Sequence, residues 1–172
     1  EFPLQTCDCH AASLRVEDWS LDARPCLFCP SLNIEAPLVN VGFGMAHELE
    51  PLRQRLSGSV ALIRSEFAPF TEPRLLTLRL RDLADLGVLA AVTGSPHGGR
   101  RMSHVSASDW RDDPTKVPLP LIQISSEDAA RLRTKAMQDI RITAVVNAEF
   151  RTAKSWNVVA DLPGADVSDE GI

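Results

Sequence analysis

Four cysteines stand within the first thirty residues, as Cys7-x-Cys9 and then Cys26-x-x-Cys29. Thiolates at that density could satisfy the tetrahedral preference of zinc, with His10 as an alternative ligand. The spacing is not that of a usual zinc knuckle, because a C-x-C pair in a strand sends both sulfurs to one face. Disulfides or plain buried thiols are therefore expected, with at least one disulfide favoured and three connectivities open. No metal site is expected in this chain.

A second concentration of reactive side chains lies in residues 95–116, which carry His97, Arg100, Arg101, His104, Asp109, Trp110, Asp112 and Asp113. Loops of more than about 12–15 residues are uncommon and are often functional. A His/Asp metal cluster is conceivable there, and two adjacent arginines could meet an acidic group. The plainer reading is an exposed excursion with Trp110 packed on the body. Within it, His97, Arg100, Arg101 and His104 are the binding candidates, since binding residues collect on loops held by a rigid scaffold. His47 reads as a solvated surface histidine. No H-E-x-x-H, no G-x-S-x-G and no G-x-G-x-x-G is present, and Gly42 and Gly44 flank Phe43 without a following G-K-[ST]. No catalytic residue is assigned.

The element that must position these groups is a strand–helix–strand unit. Residues 58–63 (GSVALI) and 88–92 (VLAAV) are unbroken apolar runs, as in strands buried on both faces. Between them Leu76, Leu80, Leu83 and Leu86 recur at helical spacing. Thr71 is the expected N-cap, Pro73 falls in the first turn, and Gly87 ends the helix. Arg79 sits at the edge of the apolar stripe. Further strands are expected near residues 2–19, over 34–43 with Pro37 near the start, over 117–124, over 139–150 and over 151–162. Ser125 opens a helix whose first turn carries Glu127 and Asp128, where the helix dipole favours acids.

Composition narrows the function. The 172 residues hold 18 basic and 23 acidic side chains, a net charge of −5, with 5% aromatics and no tyrosine. Nucleic acid is not an expected partner, since that needs a basic face with interleaved aromatics. No apolar run approaches the ~18 residues of a membrane span. The ends read as cuts within a longer polypeptide.

The order of the pieces resembles the protease-associated domain. LVNVGFG leads to LSGSVALIRS, then to a helix entering DLGVLAAVTG, then to VPLPLIQISSEDAARL. Leu56, Gly58, Val60, Ala61, Leu62 and Ile63 match the first family motif. Leu86, Gly87 and Val88 stand in for the second, with Asp85 where a small residue is commoner. Pro120, Ile122, Ile124, Ser125, Glu127 and Asp128 match the third. The flanks, EFPLQT with ASLRVEDW and KSWNVVADLPGAD, are similar to segments that border such a domain in zinc-dependent aminopeptidases and carboxypeptidases of the glutamate carboxypeptidase and transferrin receptor type.

The resemblance implies an α/β fold with a twisted β-rich core, an open barrel or a sandwich, flanked by two or three helices. A parallel nucleotide-binding sheet is the structural alternative, and the prolines at 37, 118 and 120 count against it. The implied organisation is an N-terminal strand segment with the four cysteines (1–36), the protease-associated-like domain (37–150), and a strand and tail (151–172) leading to a catalytic domain. The implied role is non-catalytic: to border the cleft of a zinc exopeptidase and influence substrate access, with zinc held only in the catalytic domain. The expected partners are that domain in the same chain and a peptide or protein substrate, with dimerisation a further possibility. An extracytoplasmic parent is expected. The alternative is a stand-alone peptide-binding or sorting-receptor domain of the same fold.

Overall fold

The structure is a computed structural model that describes residues 2–103 and 117–160. Its strands are β1 (Phe2–Val16), β2 (Trp19–Leu21), β3 (Ala23–Pro25), β4 (Leu32–Asn40), β5 (Val60–Ile63), β6 (Ala90–Gly94), β7 (Leu121–Ile124) and β8 (Arg141–Ser155). They form one eight-stranded mixed sheet in the order β2-β1-β8-β4-β5-β6-β7-β3. Among the described residues, three helical stretches flank it. One is the broken run α1 (Ala46–Leu49), a 3₁₀ turn (Glu50–Leu52) and α2 (Arg53–Leu56); the others are α3 (Leu76–Asp85) and α4 (Ser126–Lys135). The sheet curls until β3 lies beside β1 with no ladder between them, a barrel closed except for one seam. This is the α/β, β-rich open-barrel architecture expected.

The four strands β4 to β7 are parallel, and β8, β1, β2 and β3 join them antiparallel. Three of the seven strand pairings are parallel, and the prolines stand outside them. Pro37 pairs with Arg141 on the antiparallel side, while the parallel register with β5 starts at Leu38. Pro118 and Pro120 precede β7, and the Pro120 carbonyl still accepts the Ala91 N–H at 2.8 Å. Each proline stands where a missing N–H breaks no parallel ladder.

Alternate residues of the parallel strands feed two cores. Leu38, Val60, Leu62, Val92 and Ile122 join Leu14, Val16 and Ile142 and the α4 residues Ala129 and Leu132 inside the curl. Val39, Ala61, Ile63, Ala91 and Leu121 pack outward against Leu80 and Leu83 of α3 and Leu49 and Leu56 of the broken helix. Burial on both faces explains why these strands read as continuous apolar runs.

The β5–α3–β6 crossover stands as expected, with different helix bounds. Helix α3 begins at Leu76 with Leu75 in the cap position, while the Thr71 hydroxyl donates to the Ala68 carbonyl at 2.8 Å instead of capping a helix. At the other end Gly87, at φ 81°, closes a Schellman turn. Its N–H donates to Ala84 O at 2.9 Å and that of Val88 to Leu83 O at 3.1 Å. Ser125 caps α4 as read, its hydroxyl accepting the Asp128 N–H at 3.0 Å. The two strands expected over 139–162 are one, β8, which pairs with β1 from Val16↔Ile142 to Phe2↔Ser155 around a bulge at His10.

Candidate functional site

Strands β4 to β7 run side by side, so their carboxyl ends define one edge, the place where open parallel sheets hold ligands. Three exits converge there: residues 41–45 after β4, 64–66 after β5, and 95–101 after β6, the last lying against the start of α4. The first is pinned from two sides. The Glu48 carboxylate accepts the Phe43 and Met45 N–H groups, each at 3.0 Å. Arg79, 1% exposed, donates through Nη1 to the carbonyls of Phe43 (2.7 Å) and Arg64 (2.9 Å) and through Nη2 to that of Ser65 (2.8 Å). One buried guanidinium therefore ties the β4 and β5 exits to α3. Burial draws its pKa down, and Glu66 and Glu48 oppose that shift. Gly44, at φ 72°, takes the left-handed conformation that favours glycine, and a Cβ there would stand 2.9 Å from Ile63 Cδ1.

The edge carries a cavity of about 330 Å³ lined by Arg64, Glu66, Gly94, Ser95, Pro96, Ser126, Ala129 and Arg133. The Arg64 guanidinium lies 4.2 Å over the Phe43 ring and donates to Glu66 at 2.7 Å. Burial works to raise the Glu66 pKa, but a backbone N–H, Arg64 and Arg133 outweigh it and hold the carboxyl below its usual range. The site offers two cations, one anion and two serine hydroxyls. The Ser126 hydroxyl donates to the Glu127 carboxylate at 3.1 Å.

Three of the four sequence candidates, His97, Arg100 and Arg101, fall on this edge. His97 is exposed, and its N–H donates to Ser95 Oγ at 3.2 Å. The Gly99 and Arg100 N–H groups donate to Glu127, with Gly99 at 2.7 Å. The Arg100 guanidinium lies 3.8 Å from the buried carboxylate of Asp128, and Arg101 Nε donates to Gly98 O at 3.3 Å. His104, with Asp109, Trp110, Asp112 and Asp113, lies outside the described residues. The three described candidates thus share one turn, in which the Gly99 and Arg100 N–H groups and the Arg100 guanidinium face α4. Arg79, at the edge of the apolar stripe in the sequence, is the anchor of the site. An arginine at an apolar helical position was the available signal.

The cysteines occupy a separate place. All four line a cavity of about 410 Å³ at the seam, together with His10. They are free thiols, in contrast to the disulfide expected. Burial pushes Cys26 and Cys29 up to about 12 and also raises Cys7, where the Phe28 N–H opposes it. Among the described residues no three His, Cys, Asp or Glu side chains are placed to hold a metal ion. No described helix is long and apolar enough to cross a membrane.

No family model and no curated protein matches the sequence. Solved structures do match. An aminopeptidase from Aneurinibacillus sp. strain AM-1 superposes at a TM-score of 0.66 with 23% identity, over 95% of this chain and 38% of that one. A peptidase M28 precursor from Shewanella amazonensis SB2B gives 0.65 and 16%, over 95% and 40%. BSAP, a zinc aminopeptidase from Bacillus subtilis, gives 0.59 and 15%, over 92% and 38%. The chain therefore has a fold found within these aminopeptidases and spans about two fifths of their length.

Proposed function

We propose that this chain is a non-catalytic, protease-associated-type domain of a larger zinc exopeptidase, bordering the active-site cleft and limiting which substrates reach it. The observation that carries the reading is the β1–β8 ribbon. Phe2 pairs with Ser155 and Leu4 with Ala153, so the chain enters and leaves the barrel along one two-stranded stem. That is the geometry an inserted domain needs. Phe2, Leu4, Phe150, Trp156, Val158 and Val159 are exposed on and just beyond this stem, an apolar surface suited to a neighbouring domain. A likeness that covers nearly all of this chain but two fifths of each aminopeptidase supports the same reading. A fold alone does not carry a reaction. In the proposed division of labour the catalytic zinc, the proton transfers and the substrate peptide belong to the companion domain, and the parent protein is extracytoplasmic.

The test compares the 172-residue chain with its full-length parent, using aminoacyl anilides and short peptides with added zinc. Turnover is expected only from the parent. Hydrolysis by the 172-residue chain above a mock purification would overturn the proposal, as would a parent gene with no zinc-ligand motifs flanking this segment. The cavity lined by Arg64 and Arg133 favours a second reading, a peptide-binding or sorting domain of the same fold. That reading predicts calorimetric affinity of the chain alone for peptides with a free carboxylate.

A further inference from the structure

The four cysteines line one cavity at the break in the barrel, and the backbone brings one pair of them together. The Cys29 N–H donates to Cys26 O at 3.0 Å. That is the i→i+3 bond of a β-turn, whose end Cα atoms lie within about 7 Å of each other. A disulfide spans about 4.4–6.8 Å between Cα atoms. Cys7 and Cys9 belong to β1, which shares no ladder with β3, so no strand register sets their approach to the turn. The turn itself is anchored. The Cys26 N–H donates to Leu121 O at 2.9 Å, and the Phe28 ring stacks on Phe150 with centroids 6.2 Å apart. Leu27 keeps a negative φ while Phe28 stands at φ 60°, the pattern of a type II turn, which favours glycine where Phe28 stands. A bulky residue persists in that conformation where its surroundings over-determine it. A covalent bond between the two ends of the turn supplies such a constraint. Both thiols are buried, and both open onto the cavity of about 410 Å³.

We infer that Cys26 and Cys29 form a redox site, a dithiol that closes to a disulfide within the turn after β3 and staples it beside the seam. The oxidant is a peroxide, and the cavity has room for one, since a water takes up about 30 Å³. One thiolate attacks a peroxide oxygen: the S–O bond forms, the O–O bond breaks, and a sulfenic acid and one water result. The other thiolate attacks that sulfur: the S–S bond forms, the S–O bond breaks, and the hydroxide leaves as a second water. Two thiols lose two electrons, the peroxide gains them, and both thiol protons end in water. Oxidation gives up the weak hydrogen bond from the Cys29 thiol to Pro30 O, 3.6 Å long. Burial holds both thiols near pKa 12, so little thiolate is present near neutrality and closure is slow. Cys7 and Cys9 remain as thiols.

The test incubates the 172-residue chain with dilute hydrogen peroxide to completion, then denatures and alkylates it. Peptide mapping locates the links, and calorimetry gives Tm before and after reduction. A peptide carrying Cys26 and Cys29, unalkylated and lighter by two hydrogens, is expected, with both other cysteines alkylated. The oxidised form should melt roughly 4–8 °C higher. Cys26→Ser is expected to abolish the link and the Tm difference, and the double variant Cys7→Ser/Cys9→Ser to keep both. Should Cys26→Ser fail to fold, the wild-type map and the double variant still decide. Four alkylatable thiols after full incubation would overturn the inference. So would a link from either residue to Cys7 or Cys9, sulfinic acid in place of a link, or an oxidised form with unchanged Tm.

Discussion

Replacing Arg79 tests whether the edge is built as described. Its guanidinium donates three charge-assisted hydrogen bonds, to Phe43, Arg64 and Ser65, at 2.7–2.9 Å. Such bonds contribute about 1.5–3 kcal/mol each, and a buried carbonyl left without a partner costs about 1–3 kcal/mol. Simple addition overshoots, because truncation also relieves the desolvation of the guanidinium and of its unpartnered Nε. Water can also reach carbonyls in an exit loop. We expect Arg79→Ala to cost about 3–4 kcal/mol, a Tm loss of roughly 6–16 °C for a chain of this size. Arg79→Lys keeps the charge but not the planar fork that reaches three carbonyls, so it should recover about half. Urea unfolding, with the midpoint falling at unchanged m, is the assay. Glu48→Gln supplies the control for coupling, because Glu48 holds the N–H of the same Phe43 whose carbonyl Arg79 holds. The double variant should therefore lose less than the two single losses combined. An Arg79→Ala protein within 0.5 kcal/mol of the parent, or losses that add fully, would refute the account of a shared anchor.

Gly94 meets α4 closely enough that a Cβ would stand 2.7 Å from Ala129 Cβ. Gly94→Ala should therefore cost about 1–3 kcal/mol by overpacking, and Ala129→Gly should return part of it in the double variant, both read by urea midpoint. Ser125→Ala removes the α4 cap and should cost about 1 kcal/mol by the same assay, with Ser125→Asp close to neutral. The Glu66 carboxyl is held below its usual range, so its contribution is complete above the ordinary glutamate pKa and fades as pH falls through the depressed one. Its side chain is about half exposed, which limits the effect to about 1 kcal/mol or less. The Tm gap between wild type and Glu66→Gln should be present at neutral pH and vanish in acid; a gap constant across pH would contradict the pairing.

What could be read from the residues, and what could not, divides by the range of the interaction. The β5–α3–β6 crossover, the Gly87 closure and the Ser125 cap are local: period, turn residue and cap lie within a dozen positions of one another. The β1–β8 ribbon is not, since Phe2 pairs with Ser155 far along the chain, in a register that the bulge at His10 shifts from that of Val16↔Ile142. A proline marks a place where a ladder lacks a donor but not which neighbour is spared: Pro37 sits on a strand with one parallel and one antiparallel partner. The candidate site is legible in another sense: His97, Arg100 and Arg101 lie at the carboxyl ends of the parallel strands, but composition cannot tell a charge aimed at a ligand from one already engaged within the fold. Here Arg79 serves carbonyls, Arg64 serves Glu66, and Arg100 stands by Asp128. The described edge is therefore cationic in residue count but largely matched in its interactions. A peptide meeting it would be selected by the shape of the exits that Arg79 fixes and by a few hydrogen bonds. Long-range attraction would contribute little, because matched pairs leave a weak field beyond about 8–10 Å at physiological salt.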